Sequence, residues 1–172
     1  MNCDMRKVLI LDTSILCIWL RVPFMDDGGK EKEWDYAKVN SKILNEIQEK
    51  TILVLPLASI IETGNHITHI KGDNYNQVQS FSQFILESIN GHSPWAAFTE
   101  QSSLWGVEGL TALVNRWKDT AMSRQSLGDA SIVDVAEYYS SLGCIVEILT
   151  ADAGLKSYQP VHSAEIPRRR KK

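Results

Sequence analysis

Short apolar runs alternate with amphipathic segments along the chain. Three of the runs are rich in β-branched residues and end at a proline or a helix-start signal: residues 8–11, 52–55 and 145–149. A continuous apolar run of this length predicts a strand that is buried on both faces, which is typical of a parallel sheet. Residues 95–98, after Pro94, form a weaker fourth candidate.

The segments between these runs carry apolar residues at helical spacing. They predict helices over residues 36–50, 57–71, 75–89, 107–122 and 130–142, with loops at 23–32 and 90–94. Because strands alternate with helices, the pattern predicts an α/β fold with right-handed crossovers in one domain, residues 1–158. Residues 159–172 lack this periodicity and are expected to form a mobile basic tail.

Charge is unevenly distributed along the 172 residues, whose net charge is −3. The last five residues are all basic, so residues 1–167 carry 13 basic against 21 acidic side chains, a charge of −8. This split is more typical of an appended basic arm than of a folded basic groove. A hydrophobic fraction of 44% is ordinary for a globular domain and excludes wholesale disorder.

The cysteines and the apolar N-terminal stretch bear on the cellular location of the protein. None of the three cysteines lies at C-x-x-C spacing, so neither a disulfide framework nor a thiolate zinc site is expected, and a reducing compartment fits best. Residues 8–20 are apolar but contain Asp12, and they are too few for a membrane span of roughly 20 residues. We therefore expect a cytoplasmic protein with no membrane partner.

Several common sites have no motif here. The chain has no P-loop motif, no G-x-G-x-x-G after a strand and no G-x-S-x-G elbow. Acidic residues instead follow the predicted strands, where the ligand crevice of an open parallel sheet lies. They are Asp12 after the first strand, Glu62 in the helix after the second, Asp129 at a helix start and Asp152 beyond the third strand.

Each of these acids also has a purely structural interpretation. Asp12, Asp129 and Asp152 precede helical segments, where an aspartate N-cap contributes about 1 kcal/mol, and capping is the better explanation for any one alone. Ser59 and Glu62 match the S-x-x-E capping box, although Pro56 places the helix start earlier. Four acids at the ligand-facing end are more than capping requires.

The four acids lie in short motifs whose order and spacing resemble those of PIN-domain nucleases. These motifs are Val-Leu-Ile-Leu-Asp12-Thr-Ser14, Pro56 with Ile-Ile-Glu62, Leu-Gly-Asp129-Ala and Leu-Thr150-Ala-Asp152. The resemblance covers about residues 7–158. It implies a three-layer α/β/α sandwich around a mostly parallel sheet of four to five strands, and a four-acid pocket that binds Mg²⁺ or Mn²⁺ and cleaves single-stranded RNA or structured DNA.

The chemistry of the residues agrees with this resemblance. Clustered carboxylates repel one another unless a cation lies among them, and hard divalent ions prefer oxygen ligands. Such an ion activates a water for attack on a phosphodiester. The hydroxyls of Ser14 and Thr150 suit a supporting role that orients the carboxylates. The hypothesis requires Asp12, Glu62, Asp129 and Asp152 to converge within metal-bridging reach.

We therefore expect a metal-dependent endoribonuclease. The resemblance also implies 5′-phosphate and 3′-hydroxyl products, a toxin-like nuclease that is inhibited by an antitoxin or another regulatory protein, and a homodimer. Cationic side chains expected to contact RNA phosphate lie before the third acid and in the tail: Lys118, Arg124, Arg168, Arg169 and Arg170.

Other residues depart from the family pattern or suggest other chemistry. Extra sequence lies around residues 21–35 and 91–125. Asp134 is an additional acid that we expect on a solvated helix face rather than as a fifth ligand. Glu62, His66 and His69 share one helical face, which suits a transition-metal site less well than it suits packed or surface histidines.

Two other function classes compete with the nuclease. A haloacid-dehalogenase-type phosphatase also has an aspartate after its first strand, but it requires D-x-D, and Asp12-Thr-Ser14 lacks the second acid. A PIN-like module that binds RNA or protein without cleavage is the other alternative. The presence of all four acids argues against it.

Overall fold

A computed structural model describes residues 6–25, 27–123 and 125–158. In chain order its elements are β1 (Lys7–Leu11), α1 (Thr13–Trp19), β2 (Asp27–Gly28), β3 (Trp34–Asp35), α2 (Tyr36–Gln48), β4 (Ile52–Val54), α3 (Leu57–Thr68), α4 (Tyr75–Asn90), α5 (Val107–Thr120), α6 (Leu127–Ser141), β5 (Ile145–Leu149) and α7 (Ala153–Lys156). Short 3₁₀ segments cover Lys30–Lys32, Phe98–Trp105 and Ala121–Ser123. This is a mixed α/β chain, as predicted.

The three apolar runs form one parallel sheet in the order β4-β1-β5. Val8 of β1 pairs with Ile52 and with Val146, which fixes the register on both sides of the central strand. Because all three strands run the same way, their carboxyl ends meet at one edge of the sheet. β2 lies within the predicted loop at 23–32, and it pairs with β3 as a separate antiparallel pair of two-residue strands.

The expectation of a central sheet of four to five strands is wrong for the described residues, in which the sheet has three strands. The fourth candidate, residues 95–98, makes a single parallel bridge between Trp95 and Leu53. Leu53 N donates to Pro94 O at 2.9 Å and Ala96 N donates to Leu53 O at 2.8 Å. The pairing stops there because the chain turns into the 3₁₀ segment Phe98–Trp105.

Helices cover both faces of the sheet, because side chains alternate along each strand. Leu9 and Leu11 pack in a core cluster with residues of α1, α2, α3 and α4, including Ile15, Val39, Ile67 and Phe81. Val8 and Ile10 point the other way and pack with α6, through Ile132, Val135 and Tyr139. Both strand faces are therefore buried, as the continuous apolar runs predicted.

Local signals explain where the helices that matter for the site begin. α3 starts at Leu57, directly after Pro56, so Ser59 and Glu62 do not form a capping box. α6 starts at Leu127, three residues before the predicted start, because Ser126 caps it: Ser126 Oγ accepts from Asp129 N at 2.9 Å. Asp129 is thus the third residue of α6 and not its N-cap.

Asp134 is buried, so the expectation of a solvated position is wrong. It is 8% exposed and forms an ion pair with Arg116 of α5. Arg116 also contacts Glu137 at 2.6 Å, which joins α5 to α6. Because α5 lies along the face of α6 that carries Asp134, the carboxylate is covered while its charge is compensated.

The cysteines differ from expectation at one position. Cys17 is a buried free thiol, whereas Cys144 is disulfide-bonded. Among the described residues, no helix combines the length and the apolar character that a membrane crossing needs. The predicted tail at 159–172 lies outside the described residues.

Candidate functional site

Asp12 lies at the carboxyl end of the central strand and is tied to the neighbouring strand. Its backbone N donates to Leu149 O at 3.1 Å, and the residue is only 6% exposed. Asp12 Oδ2 accepts hydrogen bonds from Ser14 Oγ at 2.6 Å and from Thr150 Oγ1 at 2.8 Å. Ser14 N contributes a longer cap contact of 3.4 Å. The structure thus places both hydroxyls that the sequence singled out on the same carboxylate oxygen.

These hydroxyls also fix the chain around Asp152. Thr150 Oγ1 accepts from Asp152 N at 2.9 Å, and Ser14 Oγ accepts from Ala151 N at 3.0 Å. Asp152 itself is exposed and caps α7, since its Oδ1 accepts from Leu155 N at 2.8 Å. A short network of four hydrogen bonds therefore joins the ends of β1 and β5 beneath the two aspartates.

Glu62 is held by two residues that the sequence reasoning missed. Thr13 Oγ1 donates to Glu62 Oε2 at 3.0 Å, which links the first turn of α1 to α3. Glu62 Oε1 lies against Gly128, where an added Cβ would come within 2.5 Å of that oxygen. The absence of a side chain at Gly128 gives the carboxylate its room. Thr13 and Gly128 lie next to Asp12 and Asp129 in sequence, and that adjacency is the signal that was available.

Asp129 is half-buried at the start of α6. Its Oδ2 accepts from Ser126 N at 3.3 Å, completing the reciprocal capping box with Ser126. The residue follows Gly128 directly, so Asp129 and the carboxylate of Glu62 lie on neighbouring parts of the same edge. The N-cap interpretation made from sequence is therefore correct for Asp12 and Asp152. It is wrong for Asp129, which lies at the third position of α6 and completes a capping box whose N-cap is Ser126.

The site acids, by which we mean Asp12, Glu62, Asp129 and Asp152, have no Lys, Arg or His ion-pair partner among the described residues. Each also keeps one carboxylate oxygen that accepts no hydrogen bond within the same part of the chain. Four like charges in this position repel one another unless a cation approaches them.

Cys17 lies beneath this edge, and its thiol is unreactive. Burial, together with the negative charges of Asp12 and Glu62, raises the pKa of Cys17 to about 12. The thiol therefore stays protonated at neutral pH, and it supplies neither a thiolate ligand nor a nucleophile.

The donor set fits a hard divalent cation in its chemistry, since all four groups are carboxylates. Its arrangement falls short of the expected convergence. Within residues 6–25, 27–123 and 125–158, no group of three or more His, Cys, Asp or Glu side chains is placed to hold a metal ion. The structure therefore shows four acids on one edge with two of them, Asp12 and Glu62, linked through the adjacent Thr13.

The other predicted residues form no hydrogen bond or ion pair with the site acids in the described part of the chain, or lie beyond it. Lys118 is exposed near the end of α5. His66 and His69 lie past Glu62 on α3 and at its C-terminal cap, and His69 Nδ1 contacts Asn65 O at 2.6 Å. Arg124, Arg168, Arg169 and Arg170 lie outside the described residues.

Comparison with known proteins returns no match. No protein-family model, no curated protein and no solved structure is similar to this chain at a significant level. The fold and the edge of acids are therefore the basis for any assignment.

Proposed function

We propose that this chain is a PIN-like, metal-dependent endoribonuclease that hydrolyses single-stranded RNA at the edge bearing the site acids. The observation that carries the proposal is the hydrogen-bonded Asp12. Its Oδ2 binds the two hydroxyls of Ser14 and Thr150, while Oδ1 accepts none from the described residues. A carboxylate oriented in this way is arranged to present one oxygen to a cation.

The residues of the chain have separable roles in this proposal. Ser14 and Thr150 would hold Asp12 in one orientation, and Thr13 would hold Glu62 beside it. Glu62, Asp129 and Asp152 would each offer the oxygen not used by Thr13 or by a helix cap. The described structure brings no three of these carboxylates together, so the proposal requires their side chains to move closer around Mg²⁺ or Mn²⁺. The ion would then neutralise their charge and supply Lewis-acid activation for phosphodiester hydrolysis.

The negative charge of the chain does not oppose a nucleic-acid substrate in this proposal. Two divalent ions would bring a charge of about +4 to the edge at which the phosphate must lie. Lys118, Arg124 and the tail arginines Arg168, Arg169 and Arg170 are proposed as accessory phosphate contacts.

The test is cleavage of labelled single-stranded RNA by the purified full chain with Mn²⁺. Asp12→Asn should lower the rate by at least about a hundredfold, since it removes the most buried charge of the site. Asp73→Asn is the matched control, because Asp73 also accepts a backbone hydrogen bond at a helix start, from Tyr75 N at 2.9 Å. Equal cleavage by wild type and Asp12→Asn, or none by either across varied RNAs, would contradict the proposal.

A second candidate is a PIN-like module that binds RNA or protein without cleaving. Two observations favour it. Asp129 and Asp152 each use one carboxylate oxygen to accept a hydrogen bond at a helix start. No three metal-ligating side chains lie close enough together to hold an ion among the described residues. RNA binding that does not depend on Mn²⁺, with no cleavage, is the outcome that selects this candidate.

Partners and location form part of the same proposal. A regulatory protein of the antitoxin kind and a homodimer are proposed from the family resemblance, and sedimentation of the purified protein tests the dimer. We propose a cytoplasmic location. The disulfide at Cys144 argues against that location, since disulfides persist in oxidising compartments. The buried free thiol of Cys17 does not distinguish the two, because one of three cysteines stays unpaired in either.

A further inference from the structure

A tight turn at the C-terminal end of α1 presents a fully exposed aromatic ring. Met25 N donates to Val22 O at 3.0 Å, which closes a four-residue turn with Pro23 second and Phe24 third. Phe24 has a φ of 65° and is 98% exposed. A turn with proline at its second position and a positive φ at its third normally has glycine at the third position, because a side chain is strained in this conformation.

Nothing in the described fold offsets that cost. The ring of Phe24 is almost entirely in solvent, so it contributes little to the core. Strain of this kind accumulates at sites that bind ligands. The exposed ring therefore points to a ligand with an apolar, planar face.

Cationic groups flank the ring on both sides. On one side a groove of about 760 Å³ lies between Phe24, Arg21, Asp35 and Tyr36, and the Arg21 guanidinium lies over the Tyr36 ring at 3.8 Å. The charge of Asp35 is offset by Lys38, whose Nζ is 3.8 Å from Asp35 Oδ2. On the other side a groove of about 400 Å³ lies between Phe24, His66, His69 and Lys71. Neither Arg21 nor Lys71 pairs with a carboxylate among the described residues. An aromatic ring between unpaired cations matches single-stranded nucleic acid, whose bases stack and whose phosphates are anionic.

The turn lies within reach of the two helices that hold Asp12 at an N-cap and Glu62 in the second turn. α1 starts directly after Asp12 and ends before the turn, a length of roughly 10 Å for its seven residues. That length is roughly three stacked nucleotides at 3.4 Å each. α3 carries Glu62 and then His66 one turn further on. α1 itself is mostly buried, whereas Glu62 and His66 of α3 and its C-cap residue His69 are exposed, and the two histidines line a groove with Phe24. A strand of RNA crossing the acidic edge can therefore extend along the exposed side of α3 to Phe24.

We propose that the ring of Phe24 stacks on a base of single-stranded RNA while Arg21 and Lys71 contact the flanking phosphates. This inference rests on the proposed function for the identity of the ligand. It adds a binding subsite that lies away from the acids and needs no metal.

The test is the binding of a fluorescein-labelled single-stranded RNA, measured by anisotropy in EDTA so that binding is separated from cleavage. Phe24→Gly keeps the turn geometry and should raise Kd about tenfold or more, whereas Phe24→Trp should stay within about twofold of wild type. Val107→Ala is the matched control, since Val107 is also an exposed apolar side chain, at 85%. The same RNA made abasic should bind wild type and Phe24→Gly equally.

The outcomes separate this inference from the nuclease proposal. Weaker RNA binding by Phe24→Gly supports the subsite even when wild type cleaves nothing with Mn²⁺. Unchanged RNA affinity in Phe24→Gly overturns it even when wild type is an active nuclease. Loss of self-association in Phe24→Gly with RNA affinity unchanged would overturn it as well, since the ring would then serve a protein interface.

Discussion

Two groups of carboxylates lie at opposite ends of the same parallel sheet, and they differ in how their charge is compensated. At the amino end, Glu46 and Glu147 share Lys7 and Lys42, with N–O distances between 2.5 and 3.0 Å. Thr51 Oγ1 donates to Glu46 at 2.6 Å. We call these five residues the paired-acid network. At the carboxyl end, the site acids have hydroxyl and backbone donors but no cation from the described chain.

The difference separates acids whose charge is compensated by cations of the chain from acids whose charge is not. Burial raises the pKa of Glu46, but its hydrogen bonds to Lys42, Lys7 and Thr51 outweigh that and lower the pKa to about 2. Burial lowers the pKa values of Lys7 and Lys42, but their hydrogen bonds and charge interactions with Glu46 and Glu147 outweigh that effect and raise both pKa values. The paired-acid network is thus complete without any added group, whereas a cation would have to come to the site acids from solution.

The largest expected contrast is between two glutamate substitutions. Glu46→Gln should lower the free energy of unfolding by about 3 kcal/mol, because Lys7 and Lys42, which are mostly buried, then share Glu147 as their single carboxylate partner in the paired-acid network. Glu62→Gln should change it by no more than about 0.5 kcal/mol, because Glu62 is exposed. Urea denaturation without divalent ions measures both, and a larger loss in Glu62→Gln would reverse the comparison.

Acid should destabilise the fold through Glu46. Its folded pKa is depressed from 4.5 to about 2, so the stability it contributes is present above pH 4.5 and is lost as the pH falls toward 2. The expected loss is about 2 kcal/mol between about pH 7 and about pH 3. The same titration of Glu46→Gln should lack this component. A wild-type and a variant curve that stay parallel would show that Glu46 is not the titrating group.

Two threonines give a closely matched pair, because each donates its hydroxyl to a buried carboxylate. Thr51→Val should cost about 1.5 kcal/mol of stability, since it removes a hydrogen bond to Glu46, and should leave RNA cleavage unchanged. Thr150→Val should reduce Mn²⁺ affinity or cleavage about tenfold, because Asp12 loses one of its two hydroxyl donors. Equal effects of the two substitutions on cleavage would remove the distinction between the two regions.

The smallest effect is expected from two glycines. Gly128→Ala would place a Cβ within 2.5 Å of Glu62 Oε1 and should lower cleavage several-fold by displacing that carboxylate. Gly64→Ala, in the same α3 helix as Glu62, meets only Phe81 at 4.0 Å and should raise stability by up to about 1 kcal/mol. Thermal denaturation and a cleavage assay on the same preparations distinguish the two outcomes.

The sequence predicted the elements better than it predicted their partners. The runs at β1, β4 and β5 were identifiable because a strand buried on both faces needs unbroken apolar residues. The strand predicted at 95–98 does not form. Only Trp95 pairs with Leu53, because the chain turns into the 3₁₀ segment Phe98–Trp105 directly afterwards. Asp134 was misplaced because its burial depends on Arg116 of another helix, and no local pattern encodes that contact.

Prediction of the site from the sequence is limited in the same way, to contacts between residues close together in the chain or at neighbouring strand ends. Ser14 and Thr150 were predictable beside Asp12 because each lies two residues from an acid at a strand end. The bond from Thr13 to Glu62 spans 49 residues, and the contact of Glu62 with Gly128 spans a larger separation, so neither follows from local spacing. The distances among the four acids likewise depend on how α3 and α6 pack on the sheet.

Binding of Mn²⁺ tests the central claim most directly, since the claim is that the site acids take a cation that the chain does not provide. Electron paramagnetic resonance of free Mn²⁺ measures this binding without any need for cleavage. Wild type and Glu46→Gln should bind Mn²⁺ with similar affinity, and Asp12→Asn should bind it at least about tenfold more weakly. No binding by wild type, or equal binding by wild type and Asp12→Asn, would contradict the account.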